Sequence, residues 1–191
     1  MPPKPKITKE MIIDAAFQIA RTQGADKITA RSISGQLNCS TQPVLYYFAS
    51  VDEIKKAVYQ KADEYHSRCL MNLEKDVTNP MLTIGMNYIR FAIEEGELFR
   101  FLFQSNEFTG TSVMELVQQK ETAPFITILQ EKAGFSPEAA KEIFATLFIF
   151  AHGYASLFAG NKMAYVEAEI RSKLEKVFRG AVYAEKEEKH A

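Results

Sequence analysis

Cysteine is scarce in this 191-residue chain: Cys39 and Cys69 lie far apart and form no C-x-x-C pair. That argues against a disulfide framework or a zinc site, and it suits a reducing cytosol. Histidine is nearly as rare. His66, His152 and His190 show no H-E-x-x-H spacing, and neither a P-loop nor a G-x-S-x-G elbow occurs. The paired acids Glu94–Glu95 and Glu187–Glu188 read most simply as solvated helix surface, so a catalytic function is not expected, and no cofactor or metal is implied. The opening MPPKPKITKE lacks an apolar h-region, which leaves a signal peptide unsupported. Long apolar runs are also lacking. IFATLFIFAHGYASLFAG (143–160) comes nearest, but His152, Gly153, Tyr154 and Ser156 interrupt it, and a buried helix is expected there in place of a membrane span. The expected location is cytoplasmic.

Net charge is small, −1 overall, but unevenly spread. Residues 1–60 hold eight Lys/Arg against five acids, a balance of +3 that leaves −4 for the remainder. A mildly basic head on an acidic body suits nucleic-acid binding by the head.

Helical periodicity fills the intervals between prolines and glycines, and no stretch alternates as a strand does. Residues 1–6 read as a disordered basic arm. A first helix starts at Thr8, carries Ile12, Ala16, Ile19 and Ala20 on one stripe, and stops at Gly24. Thr29 caps a short second helix bearing Ile33 and Leu37; after a break at Asn38, Ser40 caps a third. Ser50 with Glu53 forms a capping box opening a long fourth helix to about Leu73. Asn79–Pro80 and Ser136–Pro137 are further helix starts, ELFRFLF (97–103) is a brief apolar helix, and Pro124 breaks or kinks a segment running from Ser112 to Gly134. The last helix carries Val166, Ile170, Leu174, Val177, Phe178 and Ala181, followed by a charged tail (184–191) expected to fray. The predicted fold class is all-α with about nine helices. An N-terminal three-helix domain (1–49) is joined by a long helix to a C-terminal helical bundle (50–183).

Helices two and three, separated by a tight turn at NCS, have helix-turn-helix spacing, with Leu37, Val44 and Phe48 available to close a small core. Pro43, placed early in the third helix, sacrifices no intrahelical bond, because the first amides of a helix have no partner within it. The outer face is left with Thr41, Gln42, Leu45 and Tyr46. Glutamine can pair bidentately with adenine, threonine can meet a thymine methyl, and tyrosine offers ring and hydroxyl. Tyr47, Thr29 and the exposed helix starts are candidate phosphate contacts. A purely structural role for Tyr46 and Tyr47, packing between head and connector helix, is the alternative.

The stretch ITARSISGQLNCSTQPVLYYFASVDEI (28–54) resembles the signature of the tetracycline-repressor (TetR) family of transcriptional regulators. That resemblance implies an all-helical homodimer with an N-terminal DNA-binding domain and a C-terminal ligand-binding and dimerisation domain. By position it implies phosphate contacts at Thr29 and Tyr47 and base-facing positions at Thr41, Gln42 and Tyr46, within a DNA-binding set of Thr29, Arg31, Ser40, Thr41, Gln42, Pro43, Leu45, Tyr46, Tyr47 and Lys55. Three positions depart from the family pattern. Asn38 replaces a turn glycine, which asparagine's tolerance of the left-handed region permits. Leu45 stands where tyrosine is common. Val51 replaces a frequent lysine, so a phosphate contact there falls to backbone N–H groups or to Lys55 and Lys56.

The body is dense in Met, Phe and Tyr. Met86, Tyr88, Arg90, Phe91, Phe99, Phe103, Phe125, Phe148 and His152 are the ligand-binding candidates, suited to an apolar or aromatic effector, although aromatics at helical spacing also simply fill cores. Arg90, Arg100 and His152 are the polar groups for orienting a ligand. His152 reads more simply as a hydrogen-bonded core or interface residue than as a switch, and Gly153 is expected to permit close helix contact. Phe150, Tyr154, Leu157, Phe158, Ile170, Leu174 and Phe178 suit a two-fold four-helix dimer seam, the alternative being that all are intramolecular core. The expected function is a ligand-responsive, sequence-specific DNA-binding regulator, most simply a repressor released from a palindromic operator by a small effector and requiring no membrane. A helical protein-binding module without DNA recognition is the alternative.

Overall fold

The structure, a computed structural model, describes residues 7–73, 78–105, 112–118, 122–161 and 163–188. Among the described residues the fold is all-helical: α1 (Lys9–Gln23), a 3-10 turn (Ala25–Lys27), α2 (Ala30–Gln36), α3 (Gln42–Tyr47), α4 (Val51–Leu70), α5 (Pro80–Glu94), α6 (Gly96–Phe103), α7 (Val113–Val117), α8 (Ala123–Ala133), α9 (Pro137–Gly160) and α10 (Glu167–Glu188). The expected arm 1–6 and the tail end 189–191 lie outside the described residues, but 184–188 continue α10 as helix.

The helix starts follow local chemistry. Thr8 accepts from the Met11 amide at 3.2 Å, Asn79 Oδ1 from Leu82 at 3.1 Å and Ser136 from Ala139 at 3.2 Å. Ser50 accepts from Glu53 N–H at 3.2 Å, while the Glu53 carboxylate reaches back to Ala49 N–H at 2.8 Å, one residue earlier than in the standard box. Pro124 does not kink a helix. It stands at the second position of α8, where its missing N–H costs nothing, and Ser112 starts a separate helix, α7. α4 ends at Leu70, somewhat short of the expected Leu73.

The chain divides into two compact units, Met1–His66 with Glu95–Phe108, and Ser67–Glu94 with Thr109–Ala191. The division thus falls inside α4 and before α6, away from the expected boundary after residue 49. The first unit explains the difference. The buried stripe of α1 (Ile12, Ala16, Ile19, Ala20) needs a lid, and α6 supplies it with Leu98, Phe99, Phe101 and Leu102, all buried. Tyr59 of α4 donates to the Leu102 carbonyl at 2.9 Å and sets its ring edge-on to Phe101, fastening the same helix again.

In the second unit α9 packs against α5, α7, α8 and α10. Its inner side (Ala140, Ile143, Phe144, Leu147, Ala151, Ala155) is buried, as are Met86, Tyr88, Ile89 and Phe91 of α5. Gly153 is exposed with open space around it, so among the described residues it makes no close approach; Gly85 does, since a Cβ there would lie 2.7 Å from Leu174 Cδ2. By length and composition α9 is apolar enough to cross a bilayer, contrary to expectation, although a soluble core helix passes the same test; 33% of its apolar window is buried. Its far side is open: Ile149 and Leu157 are 55% and 48% exposed.

Candidate nucleic-acid interface

The helix-turn-helix is built from short-range bonds. Thr29 Oγ1 accepts from Ser32 N–H at 3.0 Å, and Ser32 Oγ accepts in return from Thr29 N–H at 3.0 Å, a reciprocal box with serine where glutamate is usual. At the other end of α2, Asn38 adopts φ 50°, the left-handed conformation expected of it. Cys39 N–H then reaches the Ser34 carbonyl at 3.0 Å and Asn38 N–H that of Gly35 at 3.3 Å. Those two bonds form a Schellman motif, which satisfies carbonyls that the end of α2 would otherwise leave open and turns the chain sharply into α3.

α3 starts later than expected. Its N-cap is Thr41, whose carbonyl accepts from Leu45 N–H at 3.1 Å and whose side chain makes no capping bond. Ser40 therefore lies before the helix, exposed, and does not cap it. Pro43 moves from third to second helical residue; the physical account is unchanged, because that amide also lacks an intrahelical partner. Val44 and Phe48 are buried with Ile28 and Ile33 of the same unit, while Leu37 is only half-buried. Two apolar anchors thus hold the inner side of a six-residue helix, each stabilising it by about 2 kcal/mol.

The outer side is open. Gln42 is exposed, Leu45 and Tyr46 are 61% and 81% exposed, and Thr41, Pro43 and Tyr47 are half-buried. The Tyr46 and Tyr47 rings meet edge-on, centroids 5.1 Å apart at 85°, which limits the freedom of both. At the margins Thr29 and Arg31 are exposed and Lys55 is half-buried. Lys9 Nζ lies 5.2 Å over the Phe48 ring, holding a cation beside the motif.

The ligand candidates do not form one group. Phe99 and Phe103 belong to the first unit, where their rings lie 5.0 Å apart. Met86 and Phe91 are buried core of the second. Tyr88, Phe125, Phe148 and His152 do come together, through Phe144: Phe125 stacks on Phe144 at 5.5 Å, Phe144 on Phe148 at 6.2 Å, and Phe148 lies 5.5 Å from His152. Tyr88 Oη and His152 Nδ1 are 2.8 Å apart. Burial pushes the phenol upward and the imidazole downward, which favours the neutral form of both, and the imidazole tautomer sets which of the two donates. Arg90 is turned to Glu167 at 3.6 Å, and Arg100 pairs with Glu97 in the first unit.

Of the expected dimer residues, Ile170 and Leu174 are instead buried in the core of their own unit. Phe150, Tyr154, Phe158 and Phe178 are half-buried and Leu157 exposed. Tyr154 stands 5.3 Å from Phe150 and 6.2 Å from Phe158, making an aromatic row along α9.

Two buried polar groups escaped sequence reasoning. Glu95, expected on a solvated surface, is 9% exposed. Arg21 donates to it through Nε at 2.7 Å and through a guanidinium NH2, and Tyr65 Oη donates at 2.9 Å. Its position just ahead of Gly96 gives no local sign of this. His66 is legible in retrospect: Ile54, Val58, Ala62, His66 and Leu70 recur every fourth residue, and all are buried. Burial pushes its imidazole down to about 3, and its ring contacts Phe103 edge-on at 5.2 Å. Among the described residues no cluster of three or more His, Cys, Asp or Glu could hold a metal ion.

No family model matches the chain. Over 76 residues, 40% of this chain and 35% of the other, it is 34% identical to an uncharacterized HTH-type transcriptional regulator in the dhlA 5'region of Xanthobacter autotrophicus. The chain thus matches about a third of that relative's length, and it is over this stretch that it is similar to an HTH-type regulator.

Proposed function

We propose that the protein is a DNA-binding transcriptional regulator of the tetracycline-repressor type, in which α3 enters the major groove and α2 braces it on the backbone. The observation that carries this reading is the exposed outer side of α3, Gln42, Leu45 and Tyr46, on a helix anchored from behind by Val44 and Phe48. A recognition helix needs that division between a buried inner and a free outer side. The partial similarity to an HTH-type regulator supports it. Thr29, Arg31, Tyr47 and Lys55 serve as phosphate contacts, and Ser40 and Pro43 set the approach of the backbone.

The active species is a homodimer on a palindromic operator, paired through the open side of α9 (Ile149, Leu157 and the Phe150–Tyr154–Phe158 row) together with Phe178 of α10. Regulation is by a small apolar or aromatic effector held near Tyr88, Phe125, Phe148 and His152, which shifts operator affinity only by its differential affinity for the two states. Repression is the proposed sign.

The test is binding of genomic fragments across a salt series. Phosphate neutralisation makes log K fall steeply and linearly with log salt. Tyr47→Phe should weaken all fragments alike, whereas Gln42→Ala should relax preference at one base position. The lack of charge on the α3 surface favours one other reading, a docking helix for a partner protein. DNA affinity that is absent, or indifferent to salt, would select it.

A further inference from the structure

Between Ser40 and Phe48 there is no charged side chain. Within the proposed role of α3 as a recognition helix, on which this inference rests, that neutrality restricts what can be read. Guanine is specified in the major groove chiefly by arginine or lysine forked onto O6 and N7, and α3 carries neither. It offers instead one exposed carboxamide, Gln42, and two exposed apolar or aromatic groups, Leu45 and Tyr46, three and four residues further on. Residues at those spacings share a helical face. Gln42 and Leu45 are separated by about 4.5 Å along the axis, between one and two base-pair steps of about 3.4 Å, so the two side chains reach neighbouring pairs. The edge-on contact with Tyr47 keeps the Tyr46 ring from swinging freely.

We infer that the half-site centre read by α3 consists of A·T pairs, with the Gln42 carboxamide on the N6 and N7 edge of adenine and Leu45 and Tyr46 against thymine C5-methyl groups. The helix is a methyl reader. Sequence discrimination comes from hydrocarbon contact and one amide fork, and the cations Arg31 and Lys55, on neighbouring helices, supply sequence-independent phosphate affinity.

The experiment selects binding sites for the full-length protein from random duplexes, then replaces each selected thymine by deoxyuridine, which removes only the methyl group. The expected result is a half-site whose protected central positions are A·T. Each contacted thymine should lose about fourfold affinity on replacement, the ratio set by one buried methyl group. Leu45→Ala, at an exposed position that leaves folding intact by thermal unfolding, should make affinity indifferent to one of those replacements. Gln42→Ala should reduce the adenine preference by about tenfold. Guanine selected at the central positions, or uracil tolerated at every one while specific binding persists, would overturn the inference and leave the recognition-helix reading standing. Failure to select any duplex overturns both.

Discussion

Acidification singles out one side chain. His66 lies on the buried stripe of α4, 6% exposed, and burial holds its imidazole at about 3 against an ordinary value near 6.5. The folded protein keeps this ring neutral, while the unfolded chain takes up a proton as soon as pH drops below about 6.5. The stabilisation is therefore complete above that value and is lost progressively as pH falls toward 3. Each pH unit in the window is worth about 1.4 kcal/mol, so moving from pH 7 to pH 5 should remove about 2 kcal/mol. Urea unfolding of the wild type and of His66→Phe at pH 7, 6 and 5 measures the difference directly. His152, whose imidazole burial also depresses, is common to both proteins and cancels. The wild type should lose about 2 kcal/mol more than the variant over this interval. Parallel losses in the two proteins, or a His66 ring proton titrating near 6.5 by NMR, would refute the argument.

Glu95→Gln leaves Arg21 facing a neutral amide and should cost about 2 kcal/mol in urea unfolding, with Tyr65→Phe costing about half as much. Gly85→Ala forces a methyl group against the buried Leu174 side chain, and overpacking of this kind should lower stability by about 1–3 kcal/mol by the same assay. Asn38→Ala should cost about 1 kcal/mol because alanine resists the left-handed conformation, whereas Asn38→Gly should match or exceed the wild type in melting temperature.

What was legible in the sequence was whatever chemistry a few neighbouring residues complete among themselves. Thr8, Thr29, Ser50, Asn79 and Ser136 each announce a helix because the cap and the amide it serves lie three positions apart. Asn38 could be read as a turn for the same reason. Ser40 misled because two consecutive capping residues, Ser40 and Thr41, compete to start α3, and the geometry leaving the turn decides between them. Long-range partnerships carried no signal. Nothing near Glu95 points to Arg21, 74 positions earlier, and nothing in the spacing of Ile170 and Leu174 says whether their apolar side meets the same chain or another. The unit boundary was hidden likewise, because α6 rejoins the head through long-range contacts with α1, the 3-10 turn and α4.

The Asn38 turn has a consequence for control. Between Thr29 and Leu45 the Thr29–Ser32 box, the paired Cys39 and Asn38 bonds at the end of α2 and the Leu45 N–H bond to the Thr41 carbonyl all close inside the motif itself, so that these bonds hold its turn from within. A part built this way cannot be tuned by loosening its own hinge. Any signal that alters what α3 touches has to carry the whole motif as a block, and substitutions that soften the turn should blunt reading and response together.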